Sequence, residues 1–321
     1  MKLIIQIPCF NEEKTLPQTF KDLPKEIDGI DVIEYQIIDD GSSDDTVRIA
    51  NELGVHHIIS FKHNKGLAAA FKAGVDNALK QNADILVNTD GDNQYYGPDI
   101  AKIVKPIVDG KSDMVIGCRP ISDHPEFSFV KKQLQKYGSW TLRKISGTQA
   151  PDAASGFRAY SKHSLLHINV FSKFSYCMET LIQAGHLNLK IDYVPIRVNT
   201  KTRESRLFKN IIQYVFKSGK TMIDVFILYH SRIFFSIIGT ICLTGSVFFL
   251  LRYLYMILYA DASRTSFWPT IILSGVLLVV AFQVYLTGVL ASLINSNRKL
   301  NEEVLYRLKE SEIKNNNNDH Q

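Results

Sequence analysis

Two carboxylates, one residue apart, follow an apolar run in the first third of the chain. The run is ILV at residues 85–87, the acids are Asp90 and Asp92, and Gln94 stands two positions further on. A short apolar run that ends in polar residues is typical of a buried parallel strand. Because alternate residues of an extended chain face the same way, Asp90, Asp92 and the Gln94 carbonyl can converge on one hard cation, Mg²⁺ or Mn²⁺.

A second acidic turn occurs earlier, where Asp39 and Asp40 follow apolar residues 35–38 and precede Gly41 and two serines. Carboxylates at the carboxyl end of a strand can accept hydrogen bonds from a ribose hydroxyl or a base N–H. Each acidic turn taken alone is also a common turn or helix-cap sequence. Together, at the ends of two apolar strands, they favour one nucleotide site in the crevice of an open sheet.

The elements that must position these turns alternate between strand and helix, which predicts an α/β fold with a mostly parallel sheet and helices on both faces. After residue 119 the alternation stops, and only two further strands are predicted. The predicted strands are 3–7, 35–38, 55–60, 84–88, 113–117, 155–160 and 190–198, and the predicted helices are 13–23, 44–53, 67–80, a helix from Pro98, 129–145 and 179–186.

Two apolar runs in the last third of the chain are long enough to cross a membrane. Residues 233–251 and 270–294 contain 19 and 25 residues without a charged side chain, against the roughly 20 that a spanning helix needs. Buried core helices are the alternative. Lys and Arg residues flank the outer ends of both runs, so the positive-inside rule places both ends of the pair in the cytosol. No signal peptide is recognised before the first predicted strand.

The predicted organisation therefore has four parts. Residues 1–206 form a cytosolic catalytic domain, 207–232 an amphipathic juxtamembrane helix, 233–294 two spans with a short loop, and 295–321 a cytosolic tail with a disordered end. The basic helix 129–145 suits a membrane surface or is an ordinary solvated helix. The tail helix 297–309 either mediates self-association into a homo-oligomer or is a plain surface helix.

Composition limits the partners. The net charge of +5 is modest and no Lys/Arg tract is present, so no nucleic acid partner is expected; attraction to anionic lipid explains the charge more simply. The four cysteines are scattered without a CxxC pair, which indicates reduced thiols rather than a disulfide framework. His56 and His57 are adjacent on a predicted strand and face opposite ways, which argues against a histidine metal site.

The motifs, taken in order, resemble glycosyltransferase family 2, whose catalytic domain has the GT-A (Rossmann-like) fold. The similarity begins in IPCFNEEKTL, IIDDGSSDDT, HNKGLAAAFKAG and NTDGDNQ. It continues through GCR, DAASGFRAY and MET and the two apolar runs, which together resemble the branch that uses polyprenyl phosphates, including dolichyl-phosphate mannose synthases. The resemblance implies a nucleotide-diphospho-sugar donor of the UDP-glucose or GDP-mannose type and an undecaprenyl or dolichyl phosphate acceptor in a bacterial inner or plasma membrane.

The resemblance also implies a role for each matching residue. Asp90, Asp92 and Gln94 match the metal motif, and Asp92 is expected to be catalytic. Other matches are expected to act on the donor, the acceptor phosphate or the reaction. The donor set is Pro8, Asn11, Glu12, Asp39, Asp40, Lys65, Gly66, Asp90, Arg203 and Arg206; the acceptor-phosphate set is Lys131, Lys132 and Arg158; the further catalytic candidates are Arg119, Arg158 and Glu179.

The expected reaction is one inverting displacement at the anomeric carbon of the sugar. A lipid monophosphate is already mostly dianionic near neutral pH, with a second pKa of about 6, so it needs no general base. Glu179 could instead be a base for a hydroxyl acceptor, or a buried structural residue. Two rival functions remain: a processive polysaccharide synthase, whose QxxRW motif is not matched at 133–140, and an inactive membrane-tethered sugar-nucleotide binding protein. The motif departs from the branch at Asn93 and Tyr95, which leaves the sugar undetermined.

Overall fold

The computed structural model describes residues 1–120, 129–170, 176–200, 211–259 and 268–319. Two compact units divide the chain: Met1–Ser218 with Val304–Gln321, and Gly219–Glu303. Strands and helices alternate through the first half of the larger unit. They are β1 (Lys2–Cys9), α1 (Leu16–Lys21), β2 (Val32–Asp39), α2 (Thr46–Glu52), β3 (His57–Ser60), α3 (Leu67–Lys80), β4 (Ile85–Asn88), a 3₁₀ turn (Gly97–Asp99), α4 (Ile100–Val108) and β5 (Met114–Cys118).

The remaining elements of the chain complete the sheet and form two long helices. They are α5 (Phe129–Ser146), β6 (Arg158–Ser161), α6 (Lys162–His167), α7 (Tyr176–His186), β7 (Ile191–Pro195), α8 (Ile211–Tyr259) and α9 (Trp268–Asp319). Most predicted elements are present, with ends displaced by a few residues. The last predicted strand is shorter than expected, because β7 ends at Pro195, a residue that cannot donate to a sheet ladder.

One seven-stranded sheet has the order β3-β2-β1-β4-β6-β5-β7. Every pairing is parallel except those of β6, which runs antiparallel to β4 and β5 on either side. The predicted α/β, mostly parallel fold is therefore confirmed. Side chains of β1 and β4 are buried because helices cover both faces, which explains why these strands are continuous apolar runs rather than alternating ones.

The smaller unit is built on α8 and α9. The backbone of α8 leaves the helical region at His230 (φ −126°, ψ 32°), so a kink divides this helix into two segments. By length and composition, His230–Tyr259 and Trp268–Ile313 could each cross a membrane, and only 11% of the most apolar window of each is buried. Within this unit the hydroxyls of Ser246 and Ser274 bond the helix partner's carbonyl oxygens at 2.8 and 2.9 Å, a common device between membrane helices.

The end of α9 belongs to the larger unit. The ring of Tyr306 lies 4.3 Å from the ring of His167, centre to centre. The Lys309 ammonium donates to the side-chain oxygen of Asn169 at 2.9 Å. The polar residues predicted to be disordered continue this helix as far as Asp319, since adding a residue to an existing helix is far easier than starting one.

Candidate active site

The candidate site lies at the edge of the sheet where β1, β2 and β4 end. Cys9 pairs with Asp39 across β1 and β2, and Gln6 pairs with Asn88 across β1 and β4. Parallel strands present their carboxyl ends at the same edge, so the loops that follow β1, β2 and β4 meet in one crevice. The two acidic turns picked out from the sequence are thereby brought to neighbouring positions.

The turn after β2 is buried, and its carboxylates are used to fold the chain. Backbone N–H groups of Lys65 and Gly66 donate to the two oxygens of Asp40 at 2.7 and 2.9 Å. The N–H of Ser42 donates to Asp39 at 2.9 Å. Asp39 and Asp40 are only 3% and 5% exposed. Asp40 therefore connects the turn to Lys65 and Gly66, which lie just before α3 and were predicted to act on the donor.

The loop after β1 packs onto both acidic turns. Asn11, at a positive φ of 56°, accepts a hydrogen bond from the N–H of Ser43 at 2.8 Å. The N–H of Glu12 donates to the hydroxyl of Thr46 at 2.8 Å, and the Glu12 side chain is buried. A Cβ added to Gly91 would lie 3.3 Å from Glu12 Cγ and 3.5 Å from the carbonyl oxygen of Pro8. Only glycine fits comfortably between the two predicted carboxylate ligands.

The turn after β4 keeps its acids toward the crevice. Asp90, Asp92 and Gln94 are all partly exposed, in contrast with the buried strand before them. Hydroxyls of Thr15, just before α1, and of Thr19 on α1 donate to the Gly91 carbonyl at 2.9 and 3.1 Å, which fixes the position of the turn. The N–H of Gln94 donates to Asp92 at 3.2 Å.

The Gln94 carbonyl has a structural partner that the sequence did not reveal. The backbone N–H of Asn199 donates to it at 2.8 Å, and the Asn199 side chain donates to the carbonyl of Asn93 at 3.0 Å. Asn93 has a positive φ of 56°, a conformation that asparagine tolerates better than most residues. The chain beyond β7 therefore clamps the acidic turn, and one lone pair of the Gln94 carbonyl is already used.

The donor set of this turn fits a divalent cation that is shared with a substrate. Within the described residues, no cluster of three or more His, Cys, Asp or Glu side chains forms a protein-only metal cage. Mg²⁺ and Mn²⁺ prefer oxygen ligands, and Mg²⁺ is commonly held by one or two carboxylates together with substrate phosphates. Two neighbouring, partly exposed carboxylates, Asp90 and Asp92, satisfy that requirement.

Arg119 stands beside the crevice in a bidentate ion pair. Its Nε and Nη2 lie 2.7 and 3.0 Å from the two oxygens of Asp152, which is fully buried. Burial is the largest single influence and lowers the pKa of Arg119, but the charge and hydrogen bonds of Asp152, together with Tyr95 and Asp90, raise the pKa overall. Burial likewise favours the neutral form of Asp152, yet Arg119 holds the pKa of that carboxyl below its usual value. The guanidinium is therefore a permanent, oriented positive charge near the acidic turn.

Arg158 lies elsewhere than expected. Its side chain is fully buried, and its guanidinium donates to the carbonyls of Ser155, Cys177 and Ala153 at 2.7 to 2.8 Å and to Thr180 at 2.9 Å. The reason is topological: β6 is inserted between β4 and β5, so a residue at its start is surrounded by the domain. This geometry favours a structural clamp over a direct contact with an acceptor phosphate.

Glu179 is also buried, at 3% exposure on α7, and the side-chain amide of Gln183 lies 3.4 Å from its carboxylate. That position favours the structural alternative over a base at the surface of the crevice. Arg203 and Arg206 lie outside the described residues, and the side chains of Lys131 and Lys132 are likewise outside the description. Their predicted phosphate contacts stay predictions.

Three buried amides and two tyrosines lie next to the candidate site and were not singled out from the sequence. Asn88 ends β4, and its amide contacts the hydroxyl of Tyr176 at 2.7 Å and the carbonyl of Gly156 at 2.9 Å. Gln6 and Gln36 continue the amide row inward, and Tyr95 bonds the other side of Gly156. A signal was present: an amide residue interrupts each of three apolar strands, in IIQIP, YQII and LVNT.

Comparison with known proteins agrees with this fold. Residues 4–168 match the family described as Glycosyl transferase family 2, and the chain belongs to that family. It is a glycosyltransferase with a GT-A-like domain, and its named relatives are polyprenyl-phosphate glycosyltransferases, the branch that the motifs indicated.

Two relatives and one structure illustrate the similarity. The UDP-N-acetylglucosamine–dolichyl-phosphate N-acetylglucosaminyltransferase of Methanococcus voltae is 32% identical over 60% of this chain and 83% of its own. The polyprenol monophosphomannose synthase of Mycolicibacterium smegmatis is 25% identical over 67% and 85%. The crystal structure of glucosyl-3-phosphoglycerate synthase from Mycobacterium tuberculosis, in complex with Mn²⁺, UDP and glucosyl-3-phosphoglycerate, has a TM-score of 0.54 at 18% identity, covering 70% of this chain and 78% of that one. At this identity the structural likeness shows the fold alone.

Proposed function

We propose that this glycosyltransferase transfers one sugar from a nucleotide-diphospho-sugar to a polyprenyl phosphate at a membrane. The observation that carries the proposal is that two partly exposed carboxylates, Asp90 and Asp92, and the cationic Arg119 all follow strands at one edge of the sheet. Relatives named for transfer to dolichyl phosphate and for polyprenol monophosphomannose synthesis support the acceptor class. The donor is of the UDP-sugar or GDP-sugar type.

Asp90 and Asp92 would hold a Mg²⁺ or Mn²⁺ ion, with the adjoining Gln94 contributing on the same turn. Such an ion neutralises the charge on the diphosphate that leaves with the nucleoside. The structural neighbour that was crystallised with Mn²⁺ and UDP supports the use of a divalent ion by this fold in general. Asp39 and Asp40 shape the base and ribose pocket by fixing the chain from Asn11 to Gly66 around it.

The proposed chemistry is a single displacement with inversion. An oxygen of the acceptor phosphate attacks the anomeric carbon and forms the new glycosidic bond. The bond from that carbon to the donor's diphosphate oxygen breaks, and the nucleoside diphosphate leaves with the bonding pair. The guanidinium of Arg119, which Asp152 keeps oriented, would stabilise the negative charge that develops on the leaving diphosphate. Because the acceptor is already an anion, no proton must be removed, which is consistent with the buried position of Glu179.

The catalytic domain is proposed to lie on the cytosolic side of the plasma membrane of a bacterium. The two helices that could span are adjacent in sequence, so they return the chain to the side from which it entered. The packing of Tyr306 and Lys309 on residues of the catalytic unit supports that topology, since the end of α9 and the sheet must share one side. Self-association through the tail stays a prediction.

A transfer assay tests the proposal. The full chain, purified in detergent, is incubated with Mn²⁺, undecaprenyl or dolichyl phosphate, and radiolabelled UDP-glucose, UDP-N-acetylglucosamine or GDP-mannose in turn. One sugar on the lipid, made by the wild type and not by Asp92→Asn, is the expected result. Long polymer would instead support a processive synthase. Donor binding without any product would support an inactive binding protein.

A further inference from the structure

A row of buried amides crosses three strands beneath the candidate site. Gln36 of β2, Gln6 of β1 and Asn88 of β4 occupy paired positions in the sheet, and all three side chains are fully buried. Burying an amide costs folding free energy unless the amide is hydrogen-bonded, so each of these side chains needs hydrogen-bond partners inside the domain. The glycine at position 74 leaves room for the row, because a Cβ there would overlap the Gln6 amide.

The amides form one directed chain of hydrogen bonds. The side-chain amide of Asn77 donates to Gln36 at 2.9 Å, Gln36 donates to Gln6 at 3.0 Å, and Gln6 donates to Asn88 at 2.8 Å. The remaining N–H of Gln36 donates to the carbonyl of Gly74 at 2.9 Å. Each amide thus fixes the orientation of the next one, from α3 to the end of β4.

This chain of hydrogen bonds ends at Gly156, whose carbonyl and N–H groups are both bonded by buried side chains. Asn88 donates to the Gly156 carbonyl at 2.9 Å and to the Tyr176 hydroxyl at 2.7 Å, and that hydroxyl lies 3.2 Å from the same carbonyl. The N–H of Gly156 donates to the hydroxyl of Tyr95 at 3.0 Å. Both tyrosines are buried, with Tyr176 stacked on Phe71 and Tyr95 on Phe157.

Gly156 lies beside the carboxylate of Asp90. A Cβ added there would stand 3.3 and 3.6 Å from the two carboxylate oxygens of Asp90, and 2.8 Å from the hydroxyl of Tyr176. The position of Asp90 therefore depends on where the two hydroxyls hold Gly156.

We propose that Tyr95 and Tyr176 are positioning residues, whose hydroxyls hold Gly156 against Asp90 and so set the geometry in which Asp90 and Asp92 bind a divalent cation. The inference rests on the proposed function, because it deepens the metal role assigned there. Substituting a residue that orients a metal ligand commonly changes the metal affinity about 10- to 100-fold.

The test compares Tyr176→Phe with Tyr160→Phe. Both residues are fully buried tyrosines that contact Phe71, but the Tyr160 hydroxyl has its contact with Thr180, at 3.5 Å, instead of with Gly156. Tyr95→Phe is a second variant, since it keeps the ring on Phe157 and removes only the hydroxyl. Binding of Mn²⁺ to the purified full chain is followed by electron paramagnetic resonance of free Mn²⁺, in a mixture of UDP and GDP, alongside thermal unfolding.

Tyr176→Phe and Tyr95→Phe are expected to raise the half-saturating Mn²⁺ concentration about tenfold. Tyr160→Phe should change it by about twofold or less, because the hydroxyl that it removes lies against Thr180 rather than against Gly156. Equal Mn²⁺ affinity in wild type and both test variants would overturn the inference. So would an equal loss of Mn²⁺ affinity in Tyr160→Phe, which would show a general effect of removing a buried hydroxyl. A wild type that binds no Mn²⁺ would instead refute the metal role in the proposed function.

Discussion

The two acidic turns of the crevice look alike in sequence but differ in burial. Both place two acids at or just after the end of an apolar parallel strand. Asp39 and Asp40 are buried and accept hydrogen bonds from backbone N–H groups, whereas Asp90 and Asp92 are partly exposed toward the crevice. An acid that is satisfied by the backbone stabilises the fold. An acid that keeps access to the crevice is available to a ligand, and substitutions should separate the two roles.

The largest effect is expected for Asp92→Asn, which removes a charge from the exposed turn without changing its shape. The rate of sugar transfer should fall about 10²- to 10³-fold or more, as is usual when one charged stabilising group is lost from an active site. The melting temperature should stay near that of the wild type, because Asp92 is not part of the buried framework. Activity within tenfold of the wild type would show that the exposed turn does not hold the metal.

The next effect is expected at the ion pair, where Arg119→Gln leaves the buried Asp152 without its bidentate partner. Removing one member of a buried pair costs about 3 kcal/mol, because the other charge stays out of water. Thermal unfolding should show the loss. Arg119→Lys is the matched control: it keeps the charge but cannot form the fork, so it should recover part of the stability. Unchanged stability in Arg119→Gln would contradict the framework role of Asp152.

Asp40→Asn tests the buried turn directly. An amide offers one acceptor oxygen in place of the two that Lys65 and Gly66 now use. We expect a loss of about 1–3 kcal/mol in unfolding free energy and weaker donor binding, measured by denaturation and by nucleotide titration. Asp92→Asn is the control here, and its unfolding free energy should hardly change. If Asp92→Asn lost unfolding free energy and Asp40→Asn did not, the assignment of the buried turn to the fold would be wrong.

The smallest effect concerns Asp99, a buried acid in the turn before α4, bound by Arg197 and Lys102. Burial opposes ionisation, but these hydrogen bonds lower the pKa of Asp99 to about 2. A depressed carboxyl pKa gives stability above the unfolded value of about 4 and loses it as the pH falls through the folded value. Arg197→Gln should therefore lower the melting temperature slightly at pH 7.

The deficit of Arg197→Gln should shrink as the pH falls from about 4 toward 2, where the carboxylate of the wild type is also protonated. Melting curves of both proteins at a series of pH values measure this convergence. A deficit that stays constant down to the lowest pH would mean that Arg197 acts by packing on the ring of Tyr96, which lies 3.9 Å from its guanidinium carbon, rather than through Asp99.

Local patterns were enough to locate the acidic turns and most elements. An apolar run followed by acids and glycine is a short-range signal, because burial of the strand and the turn geometry are both set within a few residues. The two long apolar runs were equally plain, since their length alone decides that they can span a membrane. The motif order then identified the family, which the comparison confirms.

Arg158 shows what a local pattern leaves out. In the sequence it is an arginine in a polar stretch, and the family resemblance assigned it to the acceptor phosphate. Its true neighbours come from Ala153, Ser155, Cys177 and Thr180, and they surround it only because β6 enters the sheet between β4 and β5. Strand order depends on long-range pairing, which no local pattern encodes.

By itself, the sequence determined the two acidic turns and the apolar helices, which follow from patterns of a few residues or one uninterrupted run. It also determined the fold class and the family, which follow from the order of elements and motifs along the chain. Only the tertiary structure decided which acids are buried and which face the crevice. It also aligned Gln36, Gln6 and Asn88 into one row that ends at Gly156 behind Asp90. The physical reason is register: each amide finds its partner only after strands that are distant in sequence pair at one particular offset.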